Sequence, residues 1–207
     1  MQNKKKLIAS YDNFLDRELI NQINTYADES LHKPRWQTSH FWQDRLRNFG
    51  TPVAVLLLPD EFFIPICQTL KKKTPFTWKD SNPPQRSMYY LYSPGGCIGW
   101  HDDAPFEFSS MIWLNPVWNL DWGGLHLYED LNNLGIRAEV PTFNRCLVYS
   151  GGIPHGVSIL SPAAPLRRAI ITFAPKSDSK KYLDKKGKEW EEWKKKRNMD
   201  VKYARTG

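Results

Sequence analysis

The second half of the chain constrains the fold most. From Met88 onward it breaks into short apolar runs, SMYYLYSP, SSMIWLNP, GGLHLYED, RCLVYSG and RRAIITFAP, separated by Gly, Pro, Asn and Asp. Runs of this length, rich in β-branched and aromatic residues and bounded by turn formers, read as strands. Several in close succession make an antiparallel sandwich or barrel. Ahead of Met88 the texture differs. LIASY reads as a short strand, and Leu15, Leu19, Ile20 and Ile23 then recur at helical spacing behind Asp16, a residue suited to cap a helix. Phe62, Phe63, Ile66, Cys67 and Leu70 repeat the pattern between Pro59 and Lys73. The polar, aromatic stretch between these helices has no period that assigns it. Helices first and strands after give an α+β chain with N-terminal helices packed on one sheet.

A chain of 207 residues can bury one core, and the expected organisation is a domain over 1–178 followed by a basic, helical tail over 179–207. The net charge of +7 is concentrated near the end: residues 176 to 207 hold twelve Lys or Arg against six Asp or Glu, which leaves +1 for everything before. That basicity offers nucleic acid a contact through the tail rather than through a pocket, and Trp190 and Trp193 could dock the tail onto the domain. No segment approaches the ~20 apolar residues of a membrane helix, and the start lacks a secretory apolar run, so a cytoplasmic location without a membrane partner is expected. Cys67, Cys97 and Cys146 are too few and scattered for a disulfide framework and read as buried thiols.

Five histidines occur, and two sit where a metal could use them. In GWHDDAP, extended backbone would place His101 and Asp103 on one side, since side chains alternate with period two. His155, in SGGIPHGV just beyond an apolar strand, could close a third position from a neighbouring strand. Two imidazoles and one carboxylate on one face leave the opposite positions open, the ligand set of non-haem iron(II) oxygenases. His126, between Leu125 and Leu127, reads as facing solvent or a polar sheet partner, and Asp102 as a solvent or turn carboxylate. Trp100, Trp118 and Trp122 read as sheet packing near the mouth of the site, and Gly123 and Gly124 as a bulge or a tight lead into a strand.

The run YSPGGCIGWHDD resembles the prolyl 4-hydroxylase-like branch of the iron(II)- and 2-oxoglutarate-dependent oxygenases, whose pattern is Tyr-x-x-Gly, five residues, then His-x-Asp. Tyr92, Gly95, His101 and Asp103 meet each spacing. MIWLNPVWNLDWGGLHLY, PTFNRCLVYSGGIPHGV and LRRAIITF resemble, in order, the strands and turns that follow, so the likeness covers Met88 to Pro175. DNFLDRELINQI is similar to the helix that precedes this fold. The resemblance implies a double-stranded β-helix with iron(II), 2-oxoglutarate and dioxygen between its sheets, and ascorbate as an accessory reductant. It implies His101, Asp103 and His155 as metal ligands, Tyr92 as a hydroxyl donor to the co-substrate, and Arg167 as the clamp on its far carboxylate. Trp113 stands where the family often has a hydrogen-bonding Tyr. Arg167 rather than Arg168 fits the clamp because it shares a face with the small residue Ala169.

The implied activity is hydroxylation of an unactivated carbon in a peptidyl residue, amino acid or small metabolite, with release of succinate and carbon dioxide. Asp103 fills the position that halogenating relatives vacate for chloride. A nucleic-acid demethylase on the same fold and an idle module that binds RNA or ribosomes are the competing expectations. AIITFAPK lacks the further basic residues of the former, and the intact set of five site residues argues against the latter.

Overall fold

Alternation decides which side of each strand is buried, and it works here on both sides of one sheet. The computed structural model describes residues 7–34, 53–76, 78, 84, 86–130 and 135–176. In chain order these form β1 (Ile8–Tyr11), α1 (Arg17–Glu29), β2 (Lys33–Pro34), β3 (Val53–Leu57), α2 (Asp60–Lys73), β4 (Arg86–Tyr92), β5 (Ile98–His101) and β6 (Phe106–Trp113). A 3-10 turn over Leu120–Trp122 leads to β7 (His126–Asp130), β8 (Gly135–Glu139), β9 (Cys146–Ser150), β10 (His155–Val157) and β11 (Arg167–Pro175). Every pairing is antiparallel. A seven-stranded sheet in the order β1-β9-β6-β11-β4-β3-β2 is joined face to face with a four-stranded sheet in the order β5-β10-β7-β8. The architecture is α+β, a double-stranded β-helix with helices against one sheet.

On the outer face of the larger sheet, Tyr89, Phe108, Ile112, Cys146, Val148, Ile170 and Ala174 pack against Ile20, Ile23 and Ala27 of α1 and Phe62, Ile66 and Leu70 of α2. Each fully buried aliphatic or aromatic side chain there contributes roughly 1.5–3 kcal/mol of transfer free energy. The start of α1 is fixed twice. The Asp16 carboxylate accepts the Glu18 amide N–H at 2.8 Å, and the buried Asn144 side chain accepts from Leu15 N and donates to Leu15 O, both at 2.8 Å.

The inner face of the larger sheet meets the smaller sheet in a second cluster. Tyr90, Tyr92, Met111, Trp113, Leu147, Tyr149, Ala169 and Ile171 lie across from Ile98, Tyr128 and Val157.

The expected strands all form. The unassigned stretch between the helices contributes β3, which pairs with β4 and buries Val53 and Val55. Five residues are too few to show a period, so its pairing decides it. β8 carries almost wholly exposed residues, Ile136 included, and therefore has no apolar signature. Of the cysteines only Cys146 is buried; Cys67 and Cys97 are half-buried. No described helix is long and apolar enough to cross a membrane. The tail over 179–207, with Trp190 and Trp193, lies outside the described residues.

Candidate metal centre

β5 and β10 are neighbours in the smaller sheet, and their register sets His155 directly opposite His101, with the rings 4.2 Å apart. The reason Asp103 joins them differs from the sequence expectation. β5 stops at His101, and Asp103 has a left-handed φ of 48°, so strand alternation does not carry it there. A short polar residue tolerates that conformation. Asp103 O accepts the Phe106 N–H at 2.9 Å, and the exposed Asp102 takes the turn role expected of it, accepting the Ala104 N–H at 3.1 Å.

Each imidazole has its Nδ1 on the carbonyl oxygen two residues earlier: His101 on Gly99 and His155 on Ile153, both at 2.8 Å. A carbonyl can only accept, so Nδ1 donates and Nε2 is the ring nitrogen that would bind a metal. The two Nε2 atoms point at the Asp103 carboxylate, 3.7 Å away for His101 and 3.4 Å for His155, and the three ligand atoms lie within 4.8 Å of one another. Burial would raise the Asp103 carboxyl, but the facing His155 and His101 rings and the Ser109 hydroxyl outweigh it. They hold it well below the usual carboxylate range. Ser109 Oγ donates to Asp103 Oδ2 at 2.8 Å, and the Tyr149 hydroxyl sits 3.2 Å from His155 Nε2. His101 and Asp103 retain some exposure while His155 is nearly closed off, so the centre opens on the His101 side. A neutral-imidazole and carboxylate set without sulfur suits iron(II) or a similar divalent ion.

Arg167 and Tyr92 are cross-strand partners on β11 and β4. The guanidinium carbon of Arg167 lies 4.6 Å over the Tyr92 ring, and its Nη2 reaches Met111 Sδ at 3.3 Å. The side chain is completely buried, yet Nε and Nη1 lack a hydrogen-bond partner among the described residues, as does the indole Nε1 of the buried Trp113. Arg168 projects the other way, onto Asp28 at 2.9 Å and the Tyr89 hydroxyl at 3.3 Å. Asn115 fixes this register: its Oδ1 accepts the Arg168 N–H at 2.7 Å and its Nδ2 donates to Leu166 O at 2.8 Å. Nothing in the order of residues marks that asparagine for this role. The same holds for Ser109, because a serine inside an apolar run carries no signal of its partner.

Of the two settings expected for His126, solvent is overturned, and a polar neighbour in its own sheet, His155 of β10, is found. It is fully buried, points between the sheets, and lies 5.3 Å ring to ring from both His155 and Tyr149. Burial, reinforced by the charges of His155 and Arg167, pushes its pKa well below the ordinary value, which keeps it neutral. Leu-His-Leu suggests an outward histidine only if the inner face is apolar, and here the inner face holds polar groups. Gly123 and Gly124 do form the tight lead into β7, with φ of 64° and 63°. A Cβ on Gly124 would come within 3.0 Å of Arg167 Cδ. Trp118 and Trp122 pack edge to face at 5.5 Å.

No protein-family model matches the sequence, and no curated protein matches it. The fold is shared with solved structures. A Pseudomonas putida prolyl-4-hydroxylase is 14% identical, with 83% of this chain and 94% of that one covered and a TM-score of 0.61. A Trichoplax adhaerens prolyl hydroxylase, solved with a hypoxia inducible factor oxygen degradation domain peptide fragment, is 16% identical, with 83% and 84% covered and a TM-score of 0.64. A Burkholderia pseudomallei oxidoreductase of the 2OG-Fe(II) oxygenase family is 14% identical, with 82% and 84% covered and a TM-score of 0.60. The chain thus has the fold of the iron(II)- and 2-oxoglutarate-dependent oxygenases, in its prolyl-hydroxylase-like form.

Proposed function

We propose that this protein is an iron(II)- and 2-oxoglutarate-dependent hydroxylase acting on a carbon of a peptidyl residue, amino acid or small metabolite. One observation carries the reading: a buried arginine, two of whose guanidinium nitrogens have no hydrogen-bond partner among the described residues, faces the same inter-sheet space as a His-Asp-His triad. A buried guanidinium without an anionic partner is costly, and a carboxylate arriving with a co-substrate would relieve that cost.

In this reading His101, Asp103 and His155 hold iron(II) through Nε2, a carboxylate oxygen and Nε2, and leave the remaining positions open. Ser109 orients the carboxylate, and the carbonyls of Gly99 and Ile153 orient the imidazoles. Arg167 grips the distal carboxylate of 2-oxoglutarate, a charge-assisted contact of roughly 1.5–3 kcal/mol. Tyr92 and the Trp113 N–H are placed to donate to the same molecule. Met111, Leu147 and Ile171 pack in the same buried cluster between the sheets. When bound, iron and 2-oxoglutarate supply the oxidising power for hydroxylation, with succinate and carbon dioxide released.

The test is iron-dependent succinate formation by the full-length chain, screened over peptides, free amino acids, small metabolites and methylated single-stranded nucleic acid, with mass spectrometry of each substrate. Succinate coupled to a product heavier by one oxygen supports the reading, and omitting ascorbate shows whether a reductant is needed. Demethylated nucleic acid would move the substrate class. Absence of iron-dependent succinate across the screen would overturn the proposal.

A further inference from the structure

We propose that His126 is a binding residue for the co-substrate, donating an imidazole N–H to a bound 2-oxo dicarboxylate between its arginine clamp and its metal. This rests on the hydroxylase reading above. Neither Nδ1 nor Nε2 of His126 has a hydrogen-bond partner among the described residues, although the side chain is fully buried. A buried polar group left without a partner is destabilising, so an imidazole serving only to fill space would be worse than a leucine of similar bulk.

Its position says what it could meet. Gly124 stands two residues ahead of His126, in the left-handed turn that leads into β7, and His126 is the first of that strand's buried positions. Gly124 lies under the Arg167 side chain, and His126 stands beside His155, across from Val157 on β10. Arg167, Gly124, His126 and His155 therefore follow one another across the cavity. A molecule that chelates the metal at one end and reaches Arg167 at the other must pass His126. As a fourth metal ligand the residue fits poorly, since the convergent donor atoms are those of His101, Asp103 and His155. A neutral imidazole offers one donor and one acceptor, and a carboxylate oxygen takes the donor.

The experiment is an anaerobic titration of the iron(II)-loaded protein with 2-oxoglutarate, following the visible charge-transfer absorbance of a 2-oxo acid chelated to ferrous iron. Mn(II) binding is measured in parallel as a control for the metal site. His126→Leu should weaken 2-oxoglutarate binding about tenfold with unchanged Mn(II) affinity, and His126→Asn, which retains an N–H donor, should recover most of the loss. Wild-type affinity in His126→Leu, or equal losses in both variants, overturns the assignment. If His126→Leu does not fold, wild-type protein loaded with Zn(II) and labelled with nitrogen-15 decides: 2-oxoglutarate should protect one further imidazole N–H from exchange, and no change overturns the assignment. Wild-type protein that binds iron but never develops the absorbance overturns the hydroxylase reading together with this one.

Discussion

On the outer face of the seven-stranded sheet, Ser87 and Thr172 share a hydrogen bond of 2.6 Å, and Arg168 meets Asp28. On its inner face Arg167 and Trp113 keep N–H donors without partners among the described residues. The outer face has exceptions in Ser110 Oγ and His32 Nε2, whereas the inner face leaves a guanidinium, charged at any ordinary pH, without an anionic partner among the described residues. One backbone thus serves two ends. The helix-covered face spends its polar groups within the fold, and the enclosed face holds them in reserve for something bound, at a cost in stability.

The largest expected effect comes from breaking the triad. His101→Ala, Asp103→Ala and His155→Ala should each abolish iron binding and succinate formation while circular dichroism stays native. Wild-type protein should gain about 2.7 kcal/mol of stability at metal concentrations one hundred times Kd, and the variants should gain none. Variants that unfold instead would mean that the inner face is structural and the contrast false.

Next in size is Ile170→Ala on the outer face. It should cost roughly 2–5 kcal/mol in denaturant unfolding, yet leave the 2-oxoglutarate affinity of the folded protein unchanged; a shift in that affinity would show that the two faces are coupled.

Arg167→Ala should weaken 2-oxoglutarate binding by roughly 1.5–3 kcal/mol. Arg167→Met should bind as poorly but unfold at higher denaturant concentration than wild type without ligands, because it removes an unpaired buried charge. Arg168→Ala, which loses a partly exposed ion pair, should change stability by about 0–1 kcal/mol and co-substrate affinity hardly at all. A larger binding defect in Arg168→Ala than in Arg167→Ala would reverse the assignment of faces. The smallest effect sharpens the same point: Asp16→Ala should cost about 1 kcal/mol through its helix cap, with 2-oxoglutarate binding untouched.

Much of this was legible from residue order. The helix over 60–73, the strand over 167–175 and the opposite directions of Arg167 and Arg168 follow from periodicity, because the periods of helix and strand are fixed by backbone geometry. The candidate metal ligands were legible too, since residue types and spacing limit which side chains can converge. The path of convergence was not. Asp103 arrives through a left-handed turn rather than along a strand, and a φ angle at a non-glycine residue leaves little trace in sequence.

His126 marks the boundary most sharply. A histidine flanked by leucines reads as outward when hydrophobicity alone sorts the faces. Its burial follows from the pairing of β7 with β10 and the enclosure of both by the larger sheet. The sequence by itself determined the periodic helices and strands, the ligand types and the opposition of the two arginines, all of which depend on local geometry and chemical identity. Only the tertiary structure decided which polar side chains share the enclosed cavity, because that depends on strands far apart in the chain being brought into register.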